Sequence, residues 1–107
     1  MIIGLLDYDL ITKESRFPNL ELMKLSSYYK SHRDTVELIR DCRDFMIYDK
    51  IYLRKEEPRG SLPYQLIAEA KNKIEYGGRF FSKQYKPFTT EIEMATPDKL
   101  LYDLKWV

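Results

Sequence analysis

Five consecutive residues without a polar side chain, Ile2-Ile3-Gly4-Leu5-Leu6, are ended abruptly by Asp7-Tyr8-Asp9. Such a run does not alternate as a half-solvated strand would, so it describes a strand buried on both faces. A helical pattern follows a polar loop closed by Phe17-Pro18-Asn19 and runs from Leu20 to about Ser31. Pro18 fixes the entry, Asn19 is an N-cap, and Glu21 suits the positive end of the helix dipole. Leu22, Leu25, Ser26 and Tyr29 fall on one stripe with Met23 beside it, and the small Ser26 lets the helix approach a sheet closely. Lys30 and His32 complement the negative helix end. A strand, a loop and a covering helix open an α/β domain, and in such a sheet a ligand sits at the strand's carboxyl end, here beside Asp7 and Asp9.

The rest of the chain continues in kind. Arg33-Asp34 makes a turn, and Thr35 to Ile39 is a second strand. Arg40 to Asp49 is a short helix or irregular connection in which Phe45, Met46 and Ile47 must bury something. Lys50 to Arg54 is a third strand, and Lys55 to Ser61 is a loop marked by Pro58 and Gly60. Leu62, Leu66, Ile67 and Ala70 give a helical stripe to about Asn72. Ile74-Glu75-Tyr76 is a fourth strand running into Gly77-Gly78, where paired glycines mark a backbone that turns sharply or lies close to something. Pro97-Asp98 opens a last turn, and Leu100, Leu101, Leu104 and Trp106 must dock. The order predicts a single α/β domain over 1–107 with a mainly parallel sheet of about four strands and flanking helices, flavodoxin-like, with strand one near the centre.

Charge and composition narrow the function classes. Eighteen basic and seventeen acidic residues leave a formal charge of +1, so no global field favours nucleic acid or an anionic membrane. The single Cys42 excludes an internal disulfide, a Cys-rich zinc site and an iron–sulfur cluster, and it fits a reducing, cytoplasmic setting. The apolar start is too short for a signal peptide or a membrane span. Nine tyrosines, five phenylalanines and a tryptophan are a heavy aromatic load, either capping a small core or forming a protein interface.

Several residues invite chemistry. Asp7 and Asp9, two apart on a strand, point the same way, so their repulsion would raise one pKa, as an acid–base pair or cation ligands; otherwise they end a buried strand as polar loop residues. His32 is better read as a helix-end partner than as a base, and Cys42 as a structural thiol. Gly77-Gly78-Arg79 has the make-up of an anion nest without a nucleotide motif. From Arg79 to Phe88 basics interleave with aromatics, including Phe80, Phe81, Lys83 and Tyr85, which suits a loop folded on its own core, an acidic protein partner or single-stranded nucleic acid.

Taken together, Asp7-Tyr8-Asp9, Phe17-Pro18-Asn19-Leu20 with Leu22 to Ser26, Tyr48 to Tyr52, Gly77-Gly78 and Pro97-Asp98 resemble one module over roughly Met1 to Asp103. It is similar to the amino-terminal, cobalamin-binding-like domain that precedes the catalytic barrel in some radical S-adenosylmethionine proteins. The resemblance implies a lower-ligand motif Asp-x-His-x-x-Gly after the first strand, where this chain reads Asp7 to Thr12. Asp9 stands in the place of the cobalt-ligating imidazole, Thr12 replaces the glycine, and Arg54-Lys55-Glu56 offers no counterpart to the family's Ser-x-Leu. Cobalamin is therefore not the expected cofactor, and no catalytic set assembles. The expectation is a non-catalytic accessory or binding module acting on a protein partner through Asp7, Asp9, Lys55, Gly77, Gly78 and Arg79 with the aromatic-basic segment beyond. The module is either a piece of a longer radical enzyme or a stand-alone product. The alternatives are a phage or mobile-element protein that inhibits a host protein, anti-CRISPR-like, and a cobalamin or nucleotide binder.

Overall fold

A computed structural model describes residues 1–11, 18–40, 45–56, 68, 70, 72–77, 88–98 and 100–102. In it, β1 (Ile2–Asp7), β2 (Thr35–Leu38), β3 (Lys50–Arg54) and β4 (Ile74–Gly77) form one sheet in the order β2-β1-β3-β4. Every pairing is parallel, with Leu5 beside Leu38 on one side and Tyr52 on the other, Asp7 beside Arg54, and Arg54 beside Gly77. This is the flavodoxin-like arrangement with β1 inside. Its continuous apolar run follows, because both faces of an internal parallel strand are covered.

The two faces carry separate cores. Ile3, Leu5 and Tyr52 project to the side of helix α2 (Leu20–Ser31), where they meet Leu22, Met23, Leu25, Ile92 and Leu101. Leu6, Ile51 and Leu53 project to the other side and meet Ile39, Phe45, Tyr48 and Ala70. Gly4 belongs to the second side, where a Cβ would lie 2.7 Å from Ile39 and 2.9 Å from Tyr48. Glycine is therefore what lets the β2–β3 connection lie against the middle of β1.

Helix α2 starts where its cap dictates, with the Asn19 side chain accepting from the Leu22 N–H at 3.1 Å. It ends in a Schellman motif, since the Arg33 N–H donates to the Lys30 carbonyl and the Asp34 N–H to the Tyr29 carbonyl, both at 3.0 Å. His32 sits at that end with Nδ1 2.7 Å from the Tyr28 carbonyl, the helix-end role expected of it. Ser26 is fully buried, and its Oγ donates to Asp98 at 2.7 Å. Its small size thus admits the carboxyl-terminal segment.

Three expectations need correction, and one helix had no counterpart among them. Leu10 and Ile11 belong to a helical turn, α1 (Tyr8–Ile11), because the Asp7 carboxylate caps the Leu10 N–H at 3.2 Å and starts it. A second short helix, α3 (Thr90–Glu93), carries Glu91 and Glu93 and buries Ile92 against the α2 side. In the 3₁₀ turn Phe45–Ile47 only Phe45 is buried, whereas Met46 and Ile47 are 63% and 58% exposed. A single 3₁₀ turn points its side chains in three directions and can bury only one of them here. Leu101 docks in the core, but its neighbour Leu100 is 83% exposed. Most of the Leu62–Asn72 helix, together with Leu104 and Trp106, lies outside the described residues. No helix among the described residues is long and apolar enough to cross a membrane.

Candidate functional site

In this strand order, the chain leaves β1 toward one edge of the sheet and leaves β3 toward the other. The crevice between their carboxyl ends is the switch point where open α/β sheets bind ligands. Four charged side chains meet there, Asp7, Asp9, Arg54 and Lys55, and all four are buried, the two cations to 1% exposure. They form two sets, one toward each face of the sheet.

On the α2 side, Arg54 lies beside Asp7 in the ladder. Its Nε donates to Glu21 Oε2 at 2.8 Å, and its Nη1 to the Leu53 carbonyl at 3.1 Å. The guanidinium lies 5.0 Å from the Phe88 ring centroid and 5.8 Å from that of Tyr52, within cation–π range. It also lies across Gly77, where a Cβ would come within 2.5 Å of the guanidinium carbon. The close approach expected of that glycine is thus an approach to Arg54. Asp7 Oδ1 accepts from Leu10, and Oδ2 accepts from the Tyr102 hydroxyl at 2.7 Å. That hydroxyl in turn accepts from the Asn19 N–H at 3.1 Å. Burial pushes the Asp7 carboxyl above the ordinary carboxylate range, and the nearby Asp9 charge adds to this against the opposing hydrogen bonds of Tyr102 and Leu10. Burial first, then Asp7, pushes the Tyr102 phenol upward as well.

On the opposite side, Asp9 Oδ2 accepts from the Glu56 N–H at 2.7 Å, and Asp9 Oδ1 lies 4.0 Å from Lys55 Nζ. The Lys55 ammonium also stands 5.8 Å from the centre of the Tyr8 ring. The picture of two aspartates pointing the same way from one strand is therefore wrong. Asp7 ends the strand and caps a helical turn, which carries Asp9 off the strand and toward Lys55. The carboxylates share a neighbourhood, so each senses the other's charge, but they have different partners.

Asp7, Asp9, Lys55 and Gly77 are thus brought together. Gly78, Arg79, Phe80, Phe81, Lys83 and Tyr85 lie outside the described residues. From the aromatic-basic segment the structure describes Phe88, which packs against the α2-side core under Arg54. Sequence reading missed Arg54 and Tyr102. Arg54 carried the signal already used for Asp7, a charged residue directly ending a buried apolar run. Tyr102 carried no local signal, because its partner is 95 residues away.

The described residues contain no group of three side chains able to hold a metal ion. The place that the resemblance assigns to a cobalt-ligating imidazole is filled by Asp9, a carboxylate already bonded to Glu56 and near Lys55. The residues present do not fit cobalamin held through a lower protein ligand. Among the described residues, clefts elsewhere include one of about 620 Å³ between Asp49–Lys50 and Asn72–Tyr76 and one of about 390 Å³ between α2 and α3 beside Tyr28 and His32. No family model, no curated protein and no solved structure matches this chain.

Proposed function

We propose that this chain is a non-catalytic binding module that works through contact with a protein partner. One observation carries the reading. At the switch point, Asp7, Asp9, Arg54 and Lys55 are turned inward onto Tyr102, the Glu56 N–H, Glu21 and each other. A catalytic carboxylate or a ligand-binding cation needs a face toward its substrate, and these are spent on the chain itself. Exposed apolar side chains stand elsewhere. Met46 and Ile47 are exposed, and the Met46 carbonyl accepts at 3.3 Å from Nζ of Lys73, a residue that lines the larger cleft. Adjacent exposed apolar residues beside a cleft are the raw material of a protein contact. The likeness to a cobalamin-binding-like module then describes a sheet kept while the ligand chemistry was lost, and the single Cys42 fits a reducing compartment such as the cytoplasm.

The test has two arms. Titration of the purified chain with cobalamin and with ATP, followed by absorbance and calorimetry, is expected to show no saturable binding. Capture from lysate is expected to retain one stoichiometric protein that the Met46→Asp/Ile47→Asp variant loses. Stoichiometric cobalamin or nucleotide binding, or the absence of any protein partner, would overturn the reading.

A further inference from the structure

The cleft of about 390 Å³ between α2 and α3 differs from the larger one in how its charges are used. In the larger cleft, Lys50 pairs with Glu75 at 3.5 Å, Lys73 donates to the Met46 carbonyl, and Asp49 accepts from the Ile2 N–H. Among the described residues, no lysine or arginine lines the smaller cleft. Its one carboxylate, Glu91, is exposed and bonds no described group. The carboxylates next to it in the chain are engaged, Glu93 with Lys24 at 3.7 Å and Asp98 with Lys30 at 2.6 Å.

The other walls are acceptors and rings. His32 Nδ1 lies 2.7 Å from the Tyr28 carbonyl, which can only accept, so Nδ1 carries the proton and Nε2 of the neutral ring is an acceptor. The Tyr28 and His32 rings lie with centroids 4.4 Å apart and form an aromatic wall. The hydroxyls of Ser27, Tyr28 and Thr96 bond no described group, and each can accept. Such a set offers acceptors to a cation and no fixed positive charge to repel it. A guanidinium matches it, because it has only donors and a flat face that stacks on rings, whereas an ammonium lacks the face. The volume lies near the lower end of ligand pockets, which run from about 300 to 1,000 Å³, and suits one side chain.

We propose that the cleft between α2 and α3 is a binding site for a guanidinium, the side chain of an arginine on the protein partner. Glu91 pairs with its charge, the Tyr28 and His32 rings take its flat face, and Ser27 and Thr96 accept from its remaining N–H groups. That a protein supplies the arginine rests on the binding-module reading; the preference of the cleft for a guanidinium does not.

Titration of the full chain with N-acetyl-arginine amide, followed by amide and imidazole NMR shifts, tests the site without a partner protein, so a failed capture and a failed titration are separate results. The shifts of Ser27, Tyr28, His32, Glu91 and Thr96 are expected to saturate together with one dissociation constant. The neutral citrulline analogue is expected to leave them in place, and the lysine analogue to bind more weakly. Glu91→Gln keeps the shape and removes the charge, so the affinity is expected to fall about tenfold with the urea midpoint unchanged. Shifts that climb without saturating, or an unchanged affinity in Glu91→Gln, would overturn the site. Equal binding of the citrulline or the lysine analogue would overturn its assignment to a guanidinium.

Discussion

Arg33 is the one described residue other than glycine with a positive φ, 64°, and it holds the position after the α2 cap where the chain must turn left-handed. A side chain with a Cβ costs roughly 1 kcal/mol in that conformation, and glycine avoids the cost. The Arg33 side chain is exposed, and no described group bonds it. Arg33→Gly is therefore expected to raise stability by about 0.5–1 kcal/mol, read as a higher urea midpoint with an unchanged slope. At this same scale the legibility of the site divides cleanly. Asp7 and Gly77 could be picked out because each breaks a local pattern, a charge after an apolar run and a glycine at a strand end. Their partners, Tyr102 and Arg54, could not be paired with them, because a contact across 95 residues, or between neighbouring strands, leaves no periodicity to read. Asp9 was misplaced for another reason. Strand alternation was carried two residues past the point where the Asp7 cap had already turned the chain into a helix.

The strands and α2 were the most legible elements. Their apolar runs and caps are fixed by burial on both faces and by local hydrogen bonds, both of which the sequence carries directly. The 3₁₀ turn Phe45–Ile47 shows where that reading stops. Three adjacent apolar residues look like one buried unit, yet only Phe45 reaches the core beside Leu6, Ile51 and Leu53. Phe45→Ala is expected to cost about 3–5 kcal/mol, enough to unfold a marginal domain of this size. Met46→Ser and Ile47→Ser are expected to change stability by no more than about 0.5 kcal/mol, since neither leaves a cavity. Chemical denaturation of the three variants measures this contrast. Comparable losses at all three positions would show that Met46 and Ile47 are buried against something. Should the proposed partner bind there, the two serine variants would lose binding while keeping their fold, which separates an interface role from a packing role.

For the molecule as a whole, two carboxyls give the pH dependence of stability opposite slopes. The Asp7 carboxyl is raised by burial, so between an ordinary value of about 3.9 and its folded value the native state holds a proton that the unfolded chain has released. Stability must then fall as pH rises through that window. Asp98 runs the other way. Burial alone would raise it, but the bonds from Lys30, Ser26 and the Leu100 N–H together hold it below the ordinary range. Its contribution is present above about 3.9 and is lost as pH drops through the folded value. The two contributions meet near pH 4, Asp98 shaping the acid limb and Asp7 the limb above it. Urea midpoints of the wild-type chain from pH 3 to 7 are expected to show both limbs, with Asp7→Asn flattening the upper one and Asp98→Asn the lower. The assignment fails if Asp7→Asn leaves the upper limb unchanged. Asp98 and Tyr102, which bonds Asp7, are close neighbours in the chain, so both limbs bear on how it is anchored there. Acid weakens its Ser26–Lys30 anchor, and rising pH places a charge on the buried carboxylate that receives Tyr102.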